Sequence, residues 1–327
     1  MLILVTGGAG YVGSHCVRGL SAAGHNVVVL DNLSRGHRQA VDARATLVVA
    51  DLGNSAALET LLTQHRFDGV MHFAAFAEVN ESVQHPLTYY RNNIAHTVAL
   101  LDAMRRHEVR RFVFSSTCAV YGVPPRAPIT EDMPKDPINP YGRTKLAIEW
   151  ALADCAAAWG LGSTALRYFN AAGASSDGAI GEDHTPESHL IPRVLQVALG
   201  QADSIKIFGE DYPTPDGTCI RDYIHVEDLS DVHVRAIECQ PASQFRAFNV
   251  GTGVGVSVRE LIDAARRVTG HPIPATPAPR REGDPPALFA DPARAMKEFN
   301  WKPRYIDITD TLKTAWNWHW KHPKGYA

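Results

Sequence analysis

Disulfide chemistry is the first thing this sequence withholds. Its 327 residues contain five cysteines, Cys16, Cys118, Cys155, Cys219 and Cys239. The number is odd, the spacing is scattered and no C-x-x-C occurs, which excludes a disulfide framework or zinc ribbon and predicts a reducing, cytoplasmic setting. No apolar run reaches the ~20 residues a membrane span needs. Excess positive charge is lacking too. The formal net charge is −3, so neither nucleic acid nor an anionic membrane surface is expected as the main partner. No basic leader precedes Met1-Leu2-Ile3-Leu4-Val5, so a cleaved signal peptide is not expected. The fifteen histidines include no H-E-x-x-H, and no metal is implied. Repeats, low-complexity tracts and flexible linkers are missing as well. What remains is the composition of a soluble globular chain, long enough for one large or two medium domains.

The N-terminal third has a clear rhythm. Leu2 to Thr6 is a short apolar run suited to a buried parallel strand. It leads directly into Gly7-Gly8-Ala9-Gly10-Tyr11-Val12-Gly13 and then helix-like sequence to about Ala23. Glycines at 7, 8, 10 and 13 permit a tight turn and close backbone approach to a pyrophosphate, which the helix N-terminus also favours. A second strand, Asn26 to Leu30, ends in Asp31, about 20 residues beyond the loop, where an acidic side chain suits a ribose 2′-hydroxyl and repels a 2′-phosphate. NAD is therefore expected rather than NADP, with Arg35 read as a surface-loop residue.

Strand and helix patterns then alternate. Thr46 to Ala50 ends at Asp51-Leu52, Val70 to Phe73 at Ala74-Ala75, and Arg111 to Phe114 at Ser115-Ser116-Thr117. Helical patterns cover Ser55 to His65 and Asn93 to His107. This predicts an α/β fold, a doubly wound parallel Rossmann sheet with ligands at the carboxyl ends of its strands. Residues 121–140 are proline-rich and read as an irregular surface connection. A further strand at Ser163 to Tyr168 is expected, and then the alternation breaks down. We expect residues 1–173 to form the NAD-binding domain, with about 220–250 returning to it. Residues 174–327 should form a smaller, less regular substrate lobe, with helical pieces at His189 to Leu199 and Val256 to Thr269. Near the end, Trp316, Trp318 and Trp320 are expected to dock from a terminal helix.

The chemistry centres on Tyr141-Gly142-Arg143-Thr144-Lys145. Pro140 suits a first helical turn, and Leu146, Ile148, Ala151, Leu152 and Cys155 form the expected buried stripe. Residues four apart share a helix face, so the Tyr141 phenol and the Lys145 ammonium are neighbours. A free phenol titrates near 10, and bringing it toward 7 takes about 4 kcal/mol of differential stabilisation, which a nearby cation helps to supply.

With these motifs in order, the chain resembles the extended short-chain dehydrogenase/reductase family: T-G-G-A-G-Y-V-G from Thr6, Asp31, F-S-S-T from Phe114 and Y-x-x-x-K from Tyr141. Y-F-N-A-A-G from Tyr168, G-E-D-H from Gly181, S-H-L-I-P from Ser188, the run Ile207 to Leu229 and P-R-R-E-G-D from Pro279 look like the UDP-glucose 4-epimerase family. The resemblance spans essentially the whole chain. It implies that Gly7, Gly10, Tyr11, Val12 and Gly13 take the pyrophosphate of NAD, Asp31 and Asn32 the adenosine ribose, and Asp51 and Leu52 the adenine. Phe73, Ala74, Ala75, Asn92 and Ser115 would line the cofactor, Lys145 grip its second ribose and Phe169 pack on the nicotinamide. Asn170, His189, Leu190, Arg221, Arg281 and Asp284 would hold the uridine diphosphate of a UDP-hexose, with Phe208 and Tyr223 near the uracil. Tyr141, Lys145 and Thr117 would be catalytic, with Tyr141 and Thr117 also touching the sugar. A homodimer built from the helices after Asn93 and Tyr141 is implied as well.

Alternatives stand beside this. Arg221 and Arg281 could be surface ion-pair residues with Asp222 or Glu282, although a diphosphate suits guanidinium forks. A 4,6-dehydratase would carry Asp-Glu after its catalytic Thr, whereas Cys118-Ala119 follow Thr117. A 4-epimerase for uronates, pentoses or N-acetylhexosamines keeps the same motifs. Leu288 stands where relatives restricted to unmodified hexoses carry Tyr and broader ones a small residue, and Ala77 where some carry Lys. A non-catalytic dinucleotide sensor would have no need of Tyr141, Lys145 and Thr117 together.

Overall fold

A computed structural model describes residues 1–281 and 283–326. By its internal contacts the chain divides into two units. The first comprises Met1–Gly122, Pro134–Arg167 and Ser230–Phe248. Its frame is a seven-stranded sheet: β1 (Leu2–Thr6), β2 (Asn26–Asp31), β3 (Thr46–Val49), β4 (Gly69–His72), β5 (Arg111–Thr117), β6 (Gly162–Tyr168) and β7 (Phe245–Val250). The strand order is β7-β6-β5-β4-β1-β2-β3. The pairs β1–β2, β1–β4, β2–β3 and β4–β5 run parallel. Strands β1, β2 and β4 are buried almost end to end, as a parallel sheet covered on both faces requires.

One face packs Leu4, Leu30, Val70, Phe112 and Phe114 against Leu58, Leu61, Leu100, Met104, Ile148 and Leu152 of three helices, Ser55–Gln64, His96–Arg106 and Pro140–Trp159. On the other lies the helix Tyr11–Ala22, where Ser230 Oγ donates to the His15 carbonyl at 2.9 Å. The sheet is thus doubly wound, and its order reverses between β1 and β4. Outside the carboxyl ends at such a reversal is where these folds bind ligands.

The second unit comprises Val123–Met133, Tyr168–Leu229 and the chain from Asn249. Its core joins Ile191, Val194 and Leu195 to Leu261, Ile262 and Ala265 and to Leu312 and Ala315, from the helices Leu190–Ala198, Val258–Thr269 and Ile308–Lys321. Short strand pairs complete it, including Asn170–Ala172 with Tyr223–His225 and Ile205–Phe208 with Ala275–Ala278.

Several expectations need correction. The helix expected from Asn93 opens with a wide π-type turn, Tyr90–Ala95, before the regular helix His96–Arg106. The one expected from Val256 begins at Val258, because Ser257 forms a capping box with Glu260. Within 121–140, Ile129 is fully buried, not draped over a surface; its backbone bonds to Phe289 and Asp291. Only Trp318 of the three tryptophans is buried, while Trp320 is 62% exposed. Residues two apart on a helix point in different directions, so the alternating pattern could not dock as one face.

Candidate active site

β1 delivers the chain into a glycine turn whose residues have different reasons to be glycine. Gly7 has φ +74, and a Cβ there would lie 2.5 Å from the Ala74 nitrogen. A Cβ on Gly13 would lie 2.1 Å from the Gly7 carbonyl oxygen. Both are demanded by the fold. Gly10 is not: its φ is −76, and a Cβ would meet nothing closer than 3.4 Å. Gly10 instead lines an open cleft together with Gly7, Asp31, Asn32, Asp51, Leu52, Phe73, Ala74, Ala75 and Asn92. It is also the N-cap of Tyr11–Ala22 and makes no side-chain cap bond, so the first-turn N–H groups face a position suited to an anion.

At the far side of the turn, Asp31 is 8% exposed and accepts the Ala9 N–H at 2.9 Å and the Leu33 N–H at 2.8 Å. Asn32 Nδ2 donates to Asp51 at 2.6 Å, and that bond holds the Asp51 carboxyl below its usual range. Arg35, read from sequence as a plain surface residue, also lines the cleft, with its guanidinium 3.1 Å from the Glu81 carboxylate.

The helix carrying Tyr141 starts where local chemistry dictates. Asn139 Oδ1 accepts the Gly142 N–H at 2.8 Å, and Pro140 occupies the first turn. Tyr141 and Lys145 are 8% and 3% exposed, so they form a buried pair. Lys145 Nζ donates to the Ser115 carbonyl at 2.8 Å and sits 5.8 Å from the Tyr141 ring centre and 4.8 Å from that of Phe114. Burial pulls the Lys145 amine down to about 7, with Glu149 opposing. Thr117, at the end of β5, accepts the Ala119 N–H at 3.1 Å.

Polar groups invisible as a motif fix this helix. Glu149, one turn beyond Lys145, is 2% exposed. It accepts the Ser116 hydroxyl at 2.6 Å and Arg167 N–H groups at 2.5 to 3.2 Å, while Arg167 Nη1 donates to Tyr121 at 2.8 Å. Asn93, fully buried in the π-type turn, bonds Phe76 through both backbone groups and Thr144 at 3.2 Å. The anticipated apolar stripe holds at Leu146, Ile148 and Leu152, but Glu149 and Ala156 are buried where Ala151 and Cys155 are only half-buried. A charged residue inside an apolar helix face was the available signal.

In the second unit, Arg221 Nη2 donates to Asp284 and Nη1 to its own neighbour's carbonyl, Ile220, at 2.7 Å. Asp222 is not its partner. That buried carboxylate accepts the Thr252, Gly253 and Ala290 N–H groups and the Thr252 hydroxyl. Leu288 pairs in register with Arg221. The Arg281 guanidinium lies 4.2 Å over the Phe208 ring, and Glu282 falls outside the described residues. Asn170 Nδ2 donates to the Asp222 carbonyl at 3.0 Å, and Asn170 is in register with buried Tyr223, whose phenol burial pushes up. Phe169 is buried too. His189 is the N-cap of the helix that Leu190 begins. Its ring faces Glu182 and Glu187, and with His184 these make a four-residue cluster that the E-x-H-x-x-E-x-H spacing could have signalled.

A sequence model of the NAD dependent epimerase/dehydratase family matches residues 3–251. The chain belongs to that family. It is 52% identical to a UDP-glucose 4-epimerase of Halalkalibacterium halodurans over all of this chain and 98% of that one. A UDP-glucose 4-epimerase of Brucella ovis, solved in complex with NAD, superposes with TM-score 0.92 at 48% identity, over 96% of this chain and 97% of that one. Another from Bifidobacterium longum, solved with NAD+ and UDP, gives TM-score 0.95 at 38% identity, over the full length of both. For an epimerase/dehydratase of this kind the first unit fits NAD. The fold leaves room at Gly10 and gives no other reason for a glycine there. The helix start is uncapped by side chains, and Asp31 places a carboxylate at the cleft that opposes a 2′-phosphate. Among the described residues no helix is long and apolar enough to cross a membrane.

Proposed function

We propose that this family member is a UDP-glucose 4-epimerase, which interconverts UDP-glucose and UDP-galactose through a transient 4-keto sugar. The observation that carries the reading is the buried Tyr141–Lys145 pair, its amine fixed by the Ser115 carbonyl. A protonated Lys145 favours the Tyr141 phenolate, which takes the proton of the sugar 4-hydroxyl. Thr117, whose oxygen accepts the Ala119 N–H, keeps its hydroxyl hydrogen to donate to the same sugar oxygen. NAD, when bound, supplies the acceptor and later the donor of the C4 hydride. After the keto intermediate has turned over and presents its other face, Tyr141 returns the proton to the C4 oxygen. Asp-Glu chemistry for loss of water has no counterpart, because Cys118 and Ala119 follow Thr117.

In the second unit, Arg221 and Arg281 suit a diphosphate: the Arg221 side chain is 11% exposed and pairs with Asp284, and the Arg281 guanidinium lies over the Phe208 ring. Asn170, His189, Leu190 and Tyr223 complete the proposed uridine contacts, and Phe169 is the proposed nicotinamide neighbour. The protein is proposed to act as a cytoplasmic homodimer. Val83, Leu87, Tyr90, Val98 and Trp150, on the helical segments before and after Asn93 and after Tyr141, are exposed apolar residues that a second copy would cover.

Incubation with UDP-galactose tests the reading. UDP-glucose should form while free NADH does not accumulate, because the cofactor is regenerated each cycle. UDP-N-acetylgalactosamine, run in parallel, reads the effect of Leu288. Absence of UDP-glucose, or NADH appearing in step with sugar oxidation, contradicts the reading.

A further inference from the structure

Among the described residues one group of metal-ligating side chains converges, Glu182, His184, Glu187 and His189, with one donor atom from each within 4.8 Å of the others. We propose that these four form a binding site for one divalent transition-metal ion of the zinc type. Nothing in the epimerase chemistry uses such an ion, but the site shares His189 with the uridine contacts of the activity proposed above, and that overlap rests on the epimerase reading.

Four imidazole–carboxylate separations are short enough for one shared coordination shell. His189 Nδ1 lies 3.1 Å from Glu182 Oε1 and 2.9 Å from Glu187 Oε1. His184 Nδ1 lies 3.4 Å from Glu182 Oε1 and 3.5 Å from Glu187 Oε2. Ligands about 2.1 Å from a shared zinc stand about 3.0 Å apart at right angles and about 3.4 Å apart in a tetrahedron. One ordinary imidazole–carboxylate hydrogen bond, His189 Nδ1 with Glu187 Oε1 at 2.9 Å, belongs to the set but does not account for all of it. One Nδ1–H points along one direction, yet each Nδ1 faces two carboxylates, and the His184 pair is long for a hydrogen bond. A central cation gathers all four.

Donor type and burial agree with this. Two imidazole nitrogens with two carboxylates suit zinc and its transition-metal neighbours, whereas magnesium and calcium prefer all-oxygen shells. Once the ion has displaced the imidazole protons, two neutral imidazoles and two carboxylates balance a dication. The Glu182 and Glu187 side chains are 5% and 7% exposed, and the His184 and His189 side chains 23% and 45%, so the anionic floor is buried and the histidine side is open to entry. Glu187 is also oriented from outside the shell, since it accepts the His189 backbone N–H at 2.7 Å. The following helix, Leu190–Ala198, presents its positive end here and weakly opposes a cation, but two full carboxylate charges outweigh it.

The test uses the full chain stripped with a chelator. Zinc is titrated by calorimetry and cobalt by its visible absorption. We expect one ion per chain, a cobalt spectrum of a low-symmetry site, and at least a hundredfold weaker binding in both His184→Gln and Glu187→Gln. Zinc should raise the melting temperature of the parent protein and not that of either variant. If a variant fails to fold, Glu187→Asp, which keeps the charge and shortens the reach, replaces it and should weaken zinc at least tenfold. Substoichiometric binding to the parent protein, or binding unchanged by the substitutions, overturns the proposal.

Discussion

Thr117 Oγ1 accepts the Ala119 N–H and keeps its own hydrogen to give. Any hydroxyl at this position can do the same. Thr117→Ser should therefore keep turnover within a few fold, and Thr117→Ala should lose at least tenfold, measured as epimerisation of UDP-galactose. His72 makes a different residue-scale case. Thr97 gives its hydroxyl hydrogen to the Asn93 carbonyl at 2.6 Å, so His72 Nε2 must donate to Thr97 (2.9 Å) and Nδ1 must accept from Thr6 (2.6 Å). The ring is neutral, and burial, with Lys145 adding to it, pulls it down to about 3. Between that value and its ordinary 6.5 the unfolded chain binds a proton that the folded chain refuses. Stability from this group is thus complete above 6.5 and falls as pH drops toward 3, by up to about 1.4 kcal/mol per pH unit. Urea denaturation from pH 7 to 4 should show this slope, and it should flatten in His72→Gln. An unchanged slope in the variant would mean that His72 is not the source. Sequence alone picks out Tyr141, Lys145 and Thr117 as candidates because each lies in a short local motif. His72 and the Glu149–Arg167 pair stay hidden, since their partners come from strands 18 to 66 residues away.

The glycine turn illustrates what an element adds. Sequence marks four glycines alike, while the fold separates those where a Cβ would clash from Gly10, where a Cβ would meet nothing closer than 3.4 Å. Gly13→Ala should therefore destabilise the protein, lowering its melting temperature, because a Cβ would overlap the Gly7 carbonyl. Gly10→Ala should melt near the parent yet weaken NAD at least tenfold by fluorescence titration. Equal NAD affinity in Gly10→Ala would remove the reason for assigning the pyrophosphate there. Strands and helices were legible where apolar period and flanking turns agree, as in β1, β2 and the helix after Asn139. Less was legible where pairing sets the element. The π-type turn at Tyr90–Ala95 is pinned through Asn93 to Phe76 and Thr144, and Ile129 is held by backbone partners more than a hundred residues away.

At the scale of the molecule, a doubly wound unit carries a dinucleotide cleft and a buried Tyr–Lys pair, and a second unit carries two arginines suited to a diphosphate. The order of motifs along the chain is what leads to that proposed division of labour, while the Glu–His cluster, marked in the sequence only by its spacing, takes the convergence of its donors from the fold. The claim on which all the chemistry depends is that Tyr141 moves the proton. Turnover of UDP-galactose by Tyr141→Phe, with UDP affinity recorded alongside, tests it most directly. The account predicts at least a hundredfold loss of turnover with UDP affinity within a few fold of the parent; near-normal turnover would contradict it.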